Sequence, residues 1–186
     1  MTRQKVAHLY IHIPFCKNIC TYCDFVRFVS NQSEIDQYVD DLINQFQKQY
    51  THHVFKTIYI GGGTPNYLSA RTLNRLLSTL APHLSKDYEF TIECNPELLS
   101  LEQAKIFKAN KVNRASIGVQ TVNNTILRKF HRQHALKDVQ NAIANLRKVG
   151  IINVSCDFIY GFNELTDKDI NDAIKFIKTY RIPHVS

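Results

Sequence analysis

Five short apolar runs, each parted from the next by a stretch of helical period, set the tightest limit on how this 186-residue chain can fold. The runs are Leu9–Ile13, Thr57–Ile60, Tyr88–Cys94, Asn113–Val119 and Ile152–Ile159. Ile35, Tyr38, Val39, Leu42, Ile43 and Phe46 follow the i, i+3, i+4 rule of an amphipathic helix, as do Leu73, Leu76, Leu77 and Leu80. Ser100 with Gln103 predicts a capping box that opens another helix. Leu136, Val139, Ile143 and Leu146 mark a further one, stopped by Gly150. Thr166 with Asp169 predicts the cap of the last, which carries Ile170, Ala173, Ile174 and Ile177. Repeated β–α units predict a parallel sheet with right-handed crossovers. No low-complexity linker interrupts the series, so residues 1–186 read as one domain.

The strands themselves separate an open sheet from a barrel. Successive side chains of a strand point to opposite faces. Tyr10 and His12 oppose Leu9, Ile11 and Ile13; Tyr59 and Gly61 oppose Ile58 and Ile60. Thr91 and Glu93 oppose Phe90, Ile92 and Cys94. Arg114, Ser116, Gly118 and Gln120 oppose Ile117 and Val119, while Asn153, Ser155 and Asp157 oppose Ile152, Val154, Cys156 and Phe158. Each strand has one apolar face and one polar or small face. A doubly wound sheet is buried on both faces, and a closed eight-stranded barrel fills its interior with branched aliphatics. The pattern predicts instead a partly open barrel, with helices outside and a wet cavity inside. Glu93, Gln120 and Asp157 fall at the C-terminal ends of their strands, where α/β barrels place their sites.

Cys16, Cys20 and Cys23 form a C-x3-C-x2-C cluster just after the first apolar run. Three thiolates so close together can hold three irons of a [4Fe–4S] cube and leave the fourth iron open to a ligand. A structural zinc is the competing reading; it needs a fourth ligand, which His12 could supply. Five cysteines and no signal-peptide pattern speak against disulfides and predict a reducing, cytoplasmic setting. Cys94 and Cys156 stand alone in apolar stretches and read as buried structural thiols. The formal charge of +7 is spread without a run of basic residues and without a nucleic-acid-binding signature. It reads as a solvated basic surface, not a nucleic-acid partner. No apolar run is long enough to span a bilayer.

Tyr10-Ile-His-Ile-Pro-Phe-Cys16-x3-Cys20-x-Tyr22-Cys23 resembles the radical S-adenosylmethionine (SAM) superfamily. Four further segments agree in order: Gly61-Gly-Gly-Thr64-Pro65, Ile92-Glu93-x-Asn95-Pro96-Glu97, Ser116-Ile-Gly-Val-Gln120 and Asp157-x-Ile-Tyr160-Gly161. Together they resemble the branch that contains oxygen-independent coproporphyrinogen III oxidase and the haem chaperone HemW. The resemblance implies a partial (β/α)6 radical-SAM barrel with Cys16, Cys20 and Cys23 as cluster ligands. It implies SAM contacts from Tyr10, Tyr22, Gly62, Gly63, Thr64, Glu93, Gln120, Arg132 and Asp157. The implied chemistry is reductive cleavage of SAM by one electron.

Within that branch the oxidase carries Gly-Cys after the third cluster cysteine, whereas this chain has Asp24-Phe25. The resemblance therefore favours the HemW-like side, with a haem chaperone role in porphyrin metabolism. Porphyrinogen decarboxylation is the alternative. The partners implied are haem or a porphyrinogen, an electron donor such as a flavodoxin-like protein, and a haem-acceptor protein. His131 and His134 are candidate haem ligands, but histidines in a polar loop are usually solvated. Family members run to roughly twice this length. Arg181-Ile-Pro-His184-Val-Ser186 reads as the opening of a sixth strand, and the chain is expected to be the N-terminal part of a longer protein.

Overall fold

The computed structural model describes residues 7–186. Six strands build one parallel sheet: β1 (His8–Ile13), β2 (Phe55–Gly62), β3 (Leu84–Cys94), β4 (Arg114–Gln120), β5 (Asn153–Phe158) and β6 (His184–Val185). Between them run α1 (Gln32–Tyr50), α2 (Ala70–Leu80), α3 (Leu101–Ala109), α4 (Asn124–Lys129), α5 (Leu136–Lys148) and α6 (Asp167–Thr179). The strands stand in the sheet in chain order, β1 to β6. That order decides the layering. When every crossover is right-handed and every step goes the same way, each helix lands on the same side of the sheet. A doubly wound sheet reverses direction once and is covered on both sides. β1 and β6 are the two edges, as a partly open barrel requires.

Burial follows the predicted alternation. Ile58, Ile60, Phe90, Ile92, Ile117, Val119, Val154 and Cys156 are buried in one core with Leu73, Leu76, Leu77, Phe107, Ile143 and Leu146 of the helices. Each such large side chain contributes about 1.5–3 kcal/mol of transfer free energy, so the helix-facing layer is what holds the sheet. The opposite face carries Tyr59, Glu93, Ser116, Ser155 and Asp157, all of which border a cavity.

Local chemistry starts and stops the helices. Asn31 caps α1 with its side chain on the Glu34 N–H at 3.0 Å, and Glu34 returns a bond to the Asn31 N–H at 3.3 Å. Thr166 and Asp169 form the reciprocal box of α6. Gly150, with φ of +79°, ends α5 in the left-handed conformation that glycine adopts without penalty. The box expected at Ser100 and Gln103 is only half made. Ser100 accepts from the Gln103 N–H at 3.1 Å, but the Gln103 side chain donates to Asn66 O at 2.9 Å. Asn66 in turn bonds both the backbone N–H and the carbonyl of Asn95, at 2.9 and 3.0 Å. Gln103 is thus diverted from capping to fixing two loops at the cavity.

The apolar stripe of α6 departs from the other helices. Ile170 and Ile174 are 47% and 43% exposed, and with Ala173, Ile177 and Val185 they line an apolar groove of about 350 Å³ beside β6. Among the described residues, no helix is long and apolar enough to cross a membrane.

Candidate functional site

A cavity of about 600 Å³ opens at the C-terminal ends of the strands. That volume lies within the range of small-molecule and cofactor sites. Cys16, Cys20 and Cys23 border it, together with Gly62, Gly63 and Thr64, and with Glu93, Gln120, Arg132 and Asp157.

The cysteine loop is tied shut at its base. Cys16 N–H donates to Phe28 O at 2.9 Å and Phe28 N–H to Pro14 O at 2.7 Å, so residues 16 to 28 leave β1 and return to it. Thr21 N–H donates to Phe130 O at 3.3 Å and anchors the far side of the loop. Tyr22 packs edge-on against Phe130, with ring centroids 5.4 Å apart, and borders the cavity. Cys16 is buried at the end of β1, and its sulfur accepts the Thr64 hydroxyl at 3.2 Å. Burial pushes the Cys16 thiol up, and the Thr64 bond offsets part of that. Cys20 and Cys23 are half-buried. All five cysteines are free thiols, and Cys94 and Cys156 are buried.

The glycine turn is shaped by what stands against it. Gly63 N–H donates to Ile13 O and Thr64 N–H to Phe15 O, both at 2.8 Å, which lays the turn along the root of the cysteine loop. A Cβ at Gly63 would come within 2.9 Å of main-chain atoms of Pro14 and Phe15 and 3.0 Å of the Cys16 sulfur. Gly62 takes φ of +118°, a region that only glycine enters easily. Its N–H donates to Glu93 Oε2 at 3.0 Å, while the Tyr59 hydroxyl donates to Glu93 Oε1 at 2.6 Å. Glu93 is therefore oriented at both oxygens, and burial raises its pKa against the effect of these bonds.

On the opposite wall, β4 carries a bulge between Gly118 and Gln120, and Gln120 has φ of +65°. Bulges re-aim side chains next to sites, and here the bulge accompanies Gln120 at the cavity edge. Asp157 accepts the Ser116 hydroxyl at both oxygens, at 3.0 and 3.1 Å. Burial raises Asp157, and the two serines bonded to it pull the other way. Arg132 reaches Gly118 O at 2.8 Å, Asn95 Oδ1 at 3.0 Å and the Cys20 sulfur at 3.7 Å.

Every residue expected to contact SAM borders this cavity except Tyr10. Tyr10 is 56% exposed, bonds His12 Nδ1 at 2.9 Å and stacks on its register partner Tyr59 with centroids 6.0 Å apart, on the same face of the sheet but beside the cavity lining. His12, the candidate fourth zinc ligand, has both ring nitrogens engaged, Nδ1 by Tyr10 and Nε2 by Val26 O at 3.3 Å. Among the described residues, no three His, Cys, Asp or Glu side chains are grouped to hold a single metal ion. His134, considered as a haem ligand in a polar loop, is instead buried with both nitrogens bonded. Sequence reasoning left His134 in a solvated loop because nothing in Phe130-His131-Arg132-Gln133-His134 distinguishes an inward histidine from an outward one. It also passed over Arg114, on the cavity face of β4, and Tyr59; the strand alternation placed both on the polar face, and that was the available signal.

Burial, and then the Arg132 charge, lower the pKa of His134 to about 4; the Val119 carbonyl and Asp138 act in the opposite sense. Arg132, Glu97 and Asp138 are the charged or titratable groups that face it. Below about pH 6.5 the unfolded chain takes up a proton that folded His134 refuses. The stability contributed at neutral pH is therefore lost as the pH falls from about 6.5 to about 4, and amounts to roughly 3 kcal/mol. Urea unfolding of the wild type and of His134→Gln across that range is expected to show the two stabilities converging by about this amount. Parallel curves would contradict it.

The model of the radical SAM superfamily matches residues 10–177. The chain belongs to the radical SAM superfamily. Its fold overlays the radical SAM enzyme coproporphyrinogen III oxidase (HemN) from Escherichia coli with a TM-score of 0.88 at 27% identity. That overlay covers 98% of this chain and 44% of that one. Among curated relatives, the heme chaperone HemW of Lactococcus lactis is 40% identical over 98% of the chain, and that of Bacillus subtilis 39% identical over 95%. The chain spans about half the length of these relatives, 48% in each case. In this radical SAM protein the matched stretch runs from Tyr10, within β1, into α6, and so includes β2 to β5 and each cavity residue named above.

Proposed function

We propose that this chain is the core of a HemW-like protein that binds a [4Fe–4S] cluster through Cys16, Cys20 and Cys23 and SAM in the adjoining cavity, in the service of haem transfer. One observation carries the reading: three free cysteines and the ring of Glu93, Gln120, Arg132 and Asp157 border the same cavity. The donor set fits. Three thiols leave one iron of a cube without a protein ligand, and Gly63 keeps the space beside Cys16 free of a side chain.

When bound, the cluster supplies an electron for reductive cleavage of the sulfonium. The chain's own residues bind and orient. Gly62 and Gly63 let main-chain groups approach a ligand closely. Glu93 and Asp157 can accept from hydroxyl or amino groups, and Arg132 can pair with a carboxylate. Tyr22 offers an aromatic surface at the mouth. Asp24-Phe25 after Cys23, with the identity to HemW chaperones, supports haem as the cargo. An electron donor of the flavodoxin type and a haem-acceptor protein are the partners this role needs. The overlay on HemN supports a second reading, oxidative decarboxylation of a porphyrinogen.

Anaerobic reconstitution with iron and sulfide tests the core of the reading. Stoichiometric binding of iron and sulfide, charge-transfer absorbance, and a reduced-cluster electron paramagnetic resonance spectrum that shifts on adding SAM are expected. A protein that retains zinc and takes up no cluster would overturn it. Haem transfer to an acceptor, compared with decarboxylation of coproporphyrinogen by the same full-length protein, separates the two readings.

A further inference from the structure

Arg132 is held on more sides than a loop arginine needs to be. Its Nη2 donates to Gly118 O at 2.8 Å and to Asn95 Oδ1 at 3.0 Å, its Nη1 points at the Cys20 sulfur at 3.7 Å, and its Nε donates to His134 Nδ1 at 3.3 Å. A guanidinium has five N–H donors in one plane. These contacts use four, which leaves one Nη1 donor for the cavity.

The bond from Nε depends on the state of His134. His134 Nε2 lies 3.2 Å from Val119 O. A carbonyl only accepts, so Nε2 carries the hydrogen and Nδ1 presents a lone pair. The main chain of β4 thereby selects the tautomer that can receive the arginine. The His134 side chain is fully buried, so water does not compete for that lone pair. Gly118 and Val119, the two main-chain acceptors, are neighbours in β4. Holding Nε and Nη2 from one strand fixes the guanidinium plane and aims Nη1 at the cysteine loop. Gly118 is also needed for this approach, because a Cβ there would stand 3.1 Å from Arg132 Nη2. Glu97 stands 3.7 Å from Nδ1 across a ring that is neutral at physiological pH, so the contact is not an ion pair.

We propose that His134 is a positioning residue for the SAM site: it touches neither cluster nor SAM, and sets the direction in which Arg132 presents its remaining donor to the SAM carboxylate. The inference rests on the reading that the cavity takes SAM beside a cluster on Cys16, Cys20 and Cys23.

A double-mutant cycle on the reconstituted protein tests it. His134→Leu is expected to keep wild-type iron and sulfide content while raising the Kd for SAM roughly tenfold. Arg132→Leu is expected to raise it at least as much. The double variant should be no weaker than Arg132→Leu alone, because His134 acts only through the arginine. An unchanged Kd in His134→Leu, or effects that multiply in the double variant, would overturn the proposal. His134→Gln keeps a donor and an acceptor and serves if the leucine variant does not fold. Its Kd is expected to stay within about threefold of wild type. A loss as large as that of Arg132→Leu in a folded, cluster-loaded glutamine variant counts against the proposal. In the cluster-free protein, nitrogen-15 NMR of the Arg132 Nε–H gives a readout independent of SAM. Slow solvent exchange is expected in the wild type and fast exchange in His134→Leu; fast exchange in both refutes the positioning role. A wild type with slow exchange but no affinity for SAM would count against the function proposed above and leave the His134–Arg132 pairing standing.

Discussion

Cys20→Ala is expected to abolish assembly of the [4Fe–4S] cluster, while Cys94→Ala leaves it intact. The two cysteines differ in where the fold puts them, not in chemistry. Cys20 is half-buried in the closed loop over the strand ends, borders the cavity and lies within reach of a fixed guanidinium. A thiolate there meets a nearby positive charge, and its loss leaves two iron sites of the cube without protein ligands. Cys94 is buried on the helix-facing side of β3 with Phe90 and Ile92, and burial pushes its thiol well up, away from the thiolate a ligand must be. Its replacement by Ala removes one small apolar group and costs about 1 kcal/mol of stability. Iron and sulfide analysis after anaerobic reconstitution checks both. Equal loss from the two variants would contradict the roles assigned.

Gly62→Ala is expected to lower stability by about 3 kcal/mol or more and to remove SAM affinity, with the melting temperature falling by roughly 6–12 °C. Two independent causes add. At φ of +118° an L side chain is strained whatever the space around it. The new Cβ would also meet His12 Cε1 at 2.7 Å and Ile13 O at 3.0 Å, and the second of these is main chain at the end of β1, which cannot swing aside as a side chain can. Relieving either contact moves the N–H that orients Glu93. Gly161→Ala is the control. Gly161 also has positive φ, at +87°, but a Cβ there meets nothing within 4 Å. Only the conformational cost applies, about 1 kcal/mol. Similar melting temperatures for the two variants would show that packing against His12 and Ile13 carries no weight.

Much of the fold was legible because period and burial coincide. Ile58, Ile60, Phe90, Ile92, Ile117 and Val119 alternate with polar or small neighbours, and this alternation by itself assigns one face to helices and the other to a cavity. The helix bounds were readable where a cap and a stop act locally, as with Thr166 and Gly150. α4 was not read, since six residues are too few to display a period. Gln103 was misread because its side chain has two competing partners, and Asn66, distant in sequence, is the one it takes. The stripe of α6 shows the same limit: its periodicity predicts a helix, but not that Ile170 and Ile174 remain half-exposed.

The candidate site divides along the same line. Spacing alone brought Cys16, Cys20 and Cys23 together, because a segment of eight residues keeps thiols close in any compact loop. Strand alternation placed Glu93, Gln120 and Asp157 on one face. These are local or periodic properties, and the chain by itself determines them. Tertiary structure alone decided that His134 points inward and takes the tautomer that receives Arg132, that Tyr59 and Gly62 grip Glu93, and that Tyr10 stacks on Tyr59 beside the lining. Each of those facts is a contact between segments far apart in the chain. Its geometry is settled only when the sheet has brought them within hydrogen-bonding distance, and no local preference of either partner encodes it.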